Sequence, residues 1–153
     1  MAPHRRLCTF YLDRLWFGIA VERVHEVTRL PAITPVPLAA PAVAGLINLR
    51  GQIITVIDLR RRLGFEERPA GTMPVNVVAR SKDGTVGLLV DEIAEIVEAP
   101  ESSYEIAPDN LPADRRELVP GVYKLPDSLL HVLDLDKVLG GDGSEAQSGK
   151  VLK

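Results

Sequence analysis

The side chains that most often do chemistry in proteins are few in this chain. Its three histidines, His4, His25 and His131, have neither the i, i+4 spacing of a helical metal site nor the spacing of a zinc motif. The single cysteine, Cys8, alternates with apolar neighbours in an expected strand, which favours a buried inert thiol over a nucleophile. The sequence therefore predicts no metal site, no cofactor site and no intrachain disulfide.

Two pairs of carboxylates are the next candidates for acid–base chemistry. Asp91 with Glu92, and Glu95 with Glu98, lie beside expected strands, where the solvated face of a hairpin is the favoured interpretation. No serine occupies a Gly-x-Ser-x-Gly elbow, and the segment 45–51 lacks the spacing and the lysine of a phosphate-binding loop. The sequence thus predicts no catalytic residue.

The most distinctive polar segment is Asn48-Leu49-Arg50-Gly51, which separates two strongly apolar strands. The guanidinium of Arg50 is a planar fork of donors that suits a carboxylate. Glu26 is the acid expected at the matching edge of the first half of the chain. We therefore predict an ion pair between Glu26 and Arg50, with an exposed loop arginine of no consequence as the alternative.

Length and composition indicate one ordinary domain. The chain has 153 residues, 46% of them apolar, and a formal net charge of −3. Lysine and arginine are spread thinly, which argues against a nucleic-acid partner because phosphates call for a concentrated basic face. The apolar stretches are of strand length and follow no signal-peptide core, so we expect a cytoplasmic protein that does not insert into a membrane.

Short strands separated by turns dominate the expected secondary structure. Ser81 to Gly84 contains an Asp-Gly pair typical of a tight hairpin turn between the strands on either side. Two short helices are expected to begin at Asp58 and Asp134 and to end at Gly64 and Gly140. The expected strands are Leu7–Leu12, Leu15–Val21, Val43–Asn48, Gln52–Ile57, Val75–Ala79, Thr85–Val90, Ile93–Val97, Val119–Leu125 and Ser128–Leu133.

The chain contains an internal repeat. Gly45 to Gly64 overlays Gly121 to Gly140 at an offset of 76 without a gap, and seven of these 20 positions are identical. Phe17 to Val27 overlays Val86 to Ile96 at an offset of 69. Two matches in the same order predict two similar small β-barrels that share a hydrophobic seam, because each half alone is too small to be stable.

The repeat suggests a division of the chain. We expect a single domain over residues 7–140, with a first barrel over about 14–68 and a second over about 74–140. Strand 7–12 precedes the first barrel and is available to pair with the second. Residues 141–153 have only two large apolar side chains, which predicts a disordered tail.

The block GLINLRGQIITVIDLRRRLG at Gly45 to Gly64 resembles the central block of the CheW-like coupling proteins of bacterial chemosensory arrays. VERVHEVTRLPAITPVP at 21–37, VGLLVDEIAEI at 86–96 and LLHVLDLDKVL at 129–139 support the resemblance, which spans roughly Cys8 to Gly140. It implies a mainly β fold of two SH3-like, five-stranded barrels on a common core, with short helices. It also implies an adaptor without catalytic activity or cofactor.

The resemblance further implies two partners. Proteins of this family bridge the cytoplasmic hairpin tip of a chemoreceptor to the regulatory domain of the histidine kinase CheA. Val24, Glu26 and Arg50 align with family positions that influence receptor and kinase binding. We expect a monomer in solution that can join rings within receptor arrays.

Four apolar residues are candidates for the partner surfaces that the resemblance implies. A groove between the barrels is expected to hold a receptor helix through apolar anchors, with Leu49 and Val90 as candidates. The kinase contact is expected at a barrel end of the first half, including Val27 and Leu30.

Two alternatives stay open at this point. One is a CheW-like adaptor of another chemosensory pathway, with surface motility or a second messenger as its output. The other, of a different class, is a small β-barrel enzyme that uses Asp91, Glu92 and His131, although these residues match no catalytic motif.

Overall fold

Two β-sheets make up most of the structure, a computed structural model that describes residues 3–30, 32–82, 84–106 and 113–139. The first sheet has five strands in the order β3-β6-β7-β5-β4, and the second has six in the order β8-β1-β2-β11-β10-β9. The elements are β1 His4–Leu12, β2 Leu15–Ala20, β3 Val24–Arg29, β4 Val43–Leu49, β5 Gln52–Asp58, α1 Leu59–Leu63, β6 Val75–Ser81, β7 Gly84–Val90, β8 Glu92–Pro100, β9 Tyr104–Ile106, α2 Ala113–Leu118, β10 Gly121–Lys124, β11 Leu129–Val132 and α3 Leu135–Leu139.

The mainly β fold with short helices agrees with the sequence-based expectation of two SH3-like subdomains. None of the described helices is long and apolar enough to cross a bilayer. The expected helix end at Gly140 and the tail 141–153 lie outside the described residues, as does Asp83 of the expected hairpin turn.

Two local predictions are confirmed by the structure. β6 and β7 pair as an antiparallel hairpin that closes with Ser81 opposite Gly84. Helix α1 begins after Asp58, whose side chain accepts a hydrogen bond from the Arg60 backbone N–H, and it ends at Gly64 in the left-handed conformation, with φ +82°. The side chain of Asp58 therefore caps the first turn of α1, and Gly64 ends the helix.

The internal repeat corresponds to two equivalent sets of strands that exchange members. In order, β1, β2 and β3 match β6, β7 and β8, and β4-β5-α1 matches β10-β11-α3. The first sheet combines β3, β4 and β5 with β6 and β7, whereas the second combines β8, β10 and β11 with β1 and β2. Parallel pairing of β5 with β7, and of β2 with β11, joins the two repeats.

The sheets therefore do not divide where the sequence suggested. β6 and β7 lie within the expected second barrel, 74–140, but they pair with strands of the first sheet. β2 lies within the expected first barrel, 14–68, but it pairs with β1 and β11 in the second sheet. β1 pairs with β8 of the second sheet, which is the pairing expected for strand 7–12. A strand's sequence sets its pattern but not its partner, so the repeat alone does not give this exchange.

The apolar core has three parts. The largest cluster lies between the sheets and takes side chains from both, including Phe10, Phe17, Val77, Leu88 and Leu135. A second cluster is formed by side chains of the first sheet, and a third cluster by side chains of the second sheet. The largest cluster is the shared hydrophobic seam that we predicted from the small size of each half of the chain. Neither of the two smaller clusters alone buries enough apolar surface for a stable domain.

One strand of the first sheet was not expected from the sequence. β3 carries a β-bulge between Val24 and Glu26, although burial still alternates along the strand. Four of its six residues are polar, so it lacks the apolar run by which strands are identified, and the sequence predicts only a short amphipathic segment. β3 is an edge of the first sheet, and its position matters for the sites described next.

Candidate functional site

A tight turn presents Arg50 at one end of the first sheet. Leu49 pairs with Gln52, so Arg50 and Gly51 form a two-residue loop between β4 and β5. Both have positive φ, +53° and +86°, as a type I′ hairpin turn requires. The Asn48 side chain accepts a hydrogen bond of 2.9 Å from the Gly51 backbone N–H. Each residue of the Asn48–Gly51 segment except Leu49 thus has a defined role in this turn.

The predicted ion pair between Arg50 and Glu26 is present. The Arg50 guanidinium donates two hydrogen bonds to the Glu26 carboxylate, one from Nη1 to Oε2 and one of 2.7 Å from Nη2 to Oε1. The hydrogen bond from Arg50 lowers the pKa of Glu26. Left-handed backbone at a non-glycine residue costs free energy, and here it accompanies an exposed guanidinium that reaches Glu26 of β3, the opposite edge strand of the first sheet.

A cavity of about 300 Å³ opens beside this ion pair. Its apolar side chains are Leu49, Ile54 and Val78, and Leu49 is half-buried. Charged and polar side chains form its rim, namely His25, Glu26, Arg50, Gln52, Arg80 and Thr85. We call these residues the barrel-end site. An apolar floor with charges around it suits a protein partner better than a small reactive substrate.

A second surface crosses from one sheet to the other. Val27 of the first sheet and Leu30, which directly follows β3, line a cavity of about 520 Å³ together with Met73 and with Ile93 of the second sheet. We call these four residues the inter-sheet groove. Val27 and Ile93 are each 41% exposed and Met73 is 81% exposed. Exposed apolar side chains grouped in one concave surface are typical of a binding site for another protein.

The sequence did not identify Met73 and Ile93. Ile93 carries a usable signal, because it is the second residue of β8, a strand whose acidic residues, such as Glu92 and Glu95, are exposed. Its proximity to Val27 depends on how the two sheets pack, which no local pattern specifies.

Two of the predicted site residues contribute to the core. Val24 is half-buried and packs against the large cluster between the sheets. Val90 is fully buried in the same cluster, with 0% exposure. The expectation that Val90 lines an accessible groove is therefore wrong. β7 is buried on both faces from Val86 to Val90, so the alternation of exposed and buried residues on which that expectation depended does not apply.

Asp91, one of the candidate acid–base residues, lies within a cluster of arginines. Its carboxylate accepts hydrogen bonds from Arg60, the shortest of them 2.6 Å from Nη2, and one of 2.9 Å from Arg68 Nε. The Asp13 backbone N–H donates a third contact, of 2.8 Å. Burial alone would raise the pKa of Asp91, but these hydrogen bonds lower it to about 2. The interpretation of Asp91 as a solvated residue is wrong.

The other members of the distant enzyme alternative are placed differently. Glu92 is exposed at the start of β8. His131 lies on β11, where its Nδ1 is 3.0 Å from the Trp16 carbonyl oxygen and its ring lies 5.2 Å from that of Phe17. Within the described ranges, no three histidine, cysteine or acidic side chains form a group that could hold a metal ion.

Comparison with known proteins gives a consistent answer. The model of the CheW-like domain matches residues 6–142. The chain belongs to the CheW-like domain family. The chemotaxis protein CheW of Thermotoga maritima is 32% identical over 133 residues, which cover 86% of this chain and 85% of that protein. CheW of Rhizobium meliloti is 30% identical over 142 residues, which cover 93% and 92%.

A solved structure supports the same assignment. The scaffolding protein TtCheW of Thermoanaerobacter tengcongensis superimposes with a TM-score of 0.81 at 29% sequence identity, over 94% of this chain and 96% of that one. Membership of the family places this chain among chemotaxis adaptor and scaffolding proteins.

Proposed function

We propose that this CheW-like protein is a non-catalytic, cytoplasmic scaffold that couples chemoreceptors to a CheA-type histidine kinase. The observation that carries the proposal is the pairing of Arg50 with Glu26 beside an apolar cavity, in a chain that matches the CheW-like domain over residues 6–142. Such a scaffold needs two separate surfaces, one for each partner. The barrel-end site and the inter-sheet groove are two such surfaces.

We assign the kinase regulatory domain to the barrel-end site. That domain is expected to be a double barrel like this one, so its contact is expected at the end of a barrel. Leu49 offers half-buried apolar area there, beside the buried Ile54, while Glu26 and Arg50 offer a charged rim that fixes orientation. This reverses the assignment of Leu49 suggested by the sequence, which placed it in the receptor groove.

We assign the receptor hairpin tip to the inter-sheet groove. A helix held between two barrels must contact both, and the groove takes Val27 from one sheet, Leu30 directly after β3, and Ile93 from the other sheet. Val27 and Leu30 therefore move from the expected kinase contact to the receptor contact. An amphipathic helix would place its apolar side chains along this groove. Assembly of the monomer into rings within arrays is part of the same proposal.

Isothermal titration calorimetry with the two isolated partners tests both assignments. The purified chain is titrated with the regulatory domain of a CheA-type kinase from the same genome and, separately, with a chemoreceptor cytoplasmic fragment. Arg50→Ala is expected to weaken kinase binding about tenfold and to leave receptor binding unchanged. Val27→Glu is expected to do the opposite, because it places a charge in the apolar groove.

Arg14→Ala is the matched control, since Arg14 is also an exposed arginine with positive φ in a hairpin turn, at φ +73°. It should leave both affinities unchanged. A Glu26→Ala, Arg50→Ala double variant should lose less than the sum of the two single losses, because the side chains act as a pair. If both variants weaken the same partner, the assignment of two surfaces is wrong. If wild type binds neither partner, the coupling function is refuted.

A further inference from the structure

Four charged or titratable side chains form a continuous row along the rim of the barrel-end site. Arg50 binds Glu26, and the Glu26 Oε2 atom lies 3.9 Å from His25 Nε2. On the other side of the same ring, His25 Nδ1 lies 3.2 Å from Nη2 of Arg80, which is on β6. A single imidazole therefore connects a carboxylate to a second arginine.

The hydrogen bond to Arg80 requires one particular state of the His25 ring. Arginine has only donors, so Nδ1 of His25 is the acceptor in this hydrogen bond. The bond can form only with a neutral ring that carries its proton on Nε2, the atom that faces Glu26. A protonated imidazole donates from both nitrogens, so it would lose this hydrogen bond and place two positive charges about 3 Å apart.

The other groups of the row keep their charge. Glu26 is held ionised by Arg50, and arginines keep their charge at all ordinary pH values. The other polar side chains around the cavity, Gln52 of β5 and Thr85 of β7, are uncharged. The backbone of Arg80 is fixed separately, because its carbonyl oxygen accepts a 2.8 Å hydrogen bond from Arg23 Nε. A change at His25 would thus move the Arg80 guanidinium rather than the strand.

We propose that His25 is a positioning residue of the kinase contact, whose neutral ring holds the Arg80 guanidinium at the rim of the barrel-end site, so that protonation of His25 releases Arg80 and weakens the contact. This inference rests on the proposed function, since it concerns the same site. It predicts that kinase binding weakens on acidification.

Calorimetry of kinase binding at about pH 8 and about pH 6 tests the proposal in the full chain. His25→Asn is the informative variant, because an asparagine oxygen can accept from Arg80 near the position of Nδ1 but does not titrate in this range. The dissociation constant of wild type is expected to rise about three- to tenfold more than that of His25→Asn on acidification. His4→Asn, which removes another exposed histidine, should behave like wild type.

Titration of the kinase domain itself cancels in this comparison, because both variants meet the same partner. Equal pH dependence in wild type and His25→Asn would overturn the proposal. Tighter wild-type binding at the lower pH would also overturn it, since the added positive charge would then outweigh the loss of Arg80.

Nitrogen-15 NMR of the free protein separates this proposal from the proposed function. The imidazole nitrogen shifts report which ring nitrogen carries the proton, and the Arg80 side-chain signal should move together with the protonation of His25. A proton on Nδ1 at about pH 8 would overturn the proposal whatever the kinase does. Absence of kinase binding with the expected tautomer would instead refute the proposed function, and with it the role of His25 at that contact.

Discussion

Replacing Asp91 with asparagine should destabilise the fold at neutral pH by about 2 kcal/mol and change its stability little in acid. Hydrogen bonds lower the pKa of this carboxyl from 3.8 to about 2. A shift of that size corresponds to about 2.4 kcal/mol of stability. The side chain is 19% exposed, so solvent screens the interaction only in part, and about 2 kcal/mol is the expected loss.

The sign of the pH dependence follows from the direction of the shift. The folded protein holds the Asp91 carboxylate ionised below the pKa of the unfolded chain. Its contribution is therefore complete above about pH 4 and is lost progressively as the pH falls towards 2. The difference between wild type and Asp91→Asn should shrink over the same interval.

Urea unfolding at a series of pH values, followed by the fluorescence of the single tryptophan, measures this difference. Asp13→Asn is the matched control. Its carboxylate also faces Arg60, at 3.9 Å, but it is 52% exposed, and its backbone donor to Asp91 is retained. We expect it to cost less than about 0.5 kcal/mol. The reasoning would be refuted if Asp91→Asn lost less than about 0.5 kcal/mol of stability at neutral pH. A loss of stability that stayed independent of pH down to about 3 would also refute it.

Three further predictions test the packing, each by urea unfolding. Val56→Ala should destabilise by about 2 kcal/mol, because Val56 is fully buried and the change leaves a cavity; a stable variant would contradict its place in the core. Gly45→Ala should lower the free energy of unfolding more than Gly71→Ala does. Both glycines have positive φ, but a Cβ at Gly45 would lie 2.5 Å from a backbone oxygen, whereas a Cβ at Gly71 would meet nothing within 4 Å. Equal losses of stability would contradict the close approach at Gly45. Asn76→Leu should stabilise the fold by about 1 kcal/mol, because the buried Asn76 Oδ1 has no hydrogen-bond partner among the described atoms. The equivalent residue of the other repeat is Leu7, which shows that a leucine fits this position. A large loss of stability would show that the amide is needed.

Local features of the structure were predictable from the sequence where one segment determines them. The hairpin at Ser81 to Gly84 and the cap of α1 at Asp58 depend on turn and capping residues that lie next to each other in the chain. The repeat also identified equivalent elements correctly, since α1 and α3 occupy corresponding positions.

Features that depend on how the sheets pack were not predictable in the same way. β1 and β2 exchange places with β6 and β7 between the two sheets. These strands have similar apolar patterns, so the sequence does not show which of them pairs in which sheet. Val90 was wrongly expected to be accessible, because a strand that is buried on both faces shows no alternation of polar and apolar residues from which exposure could be predicted.

The candidate site shows the same contrast between residue type and position. The Glu26–Arg50 pair was predictable, because an arginine fork suits a carboxylate and Arg50 stands out between two apolar strands. The link from Glu26 through His25 to Arg80 was not, because Arg80 is 55 positions from His25 in sequence and reaches it only through the pairing of β3 with β6.

The exchange of strands between the repeats has a consequence during protein synthesis. β1 and β2 leave the ribosome first, yet their partners in the second sheet, β8 and β11, are made much later; His131 contacts Trp16 across 115 positions of sequence. At about 5–20 residues per second, the early hairpin waits roughly 6–23 s for β11. The core cluster that contains Phe10 and Phe17 lacks its last members, among them Leu133, Leu135 and Val138, during that interval. The nascent chain should therefore depend on chaperones most strongly before β11 emerges, and slowing translation after β2 should lower the yield of folded protein.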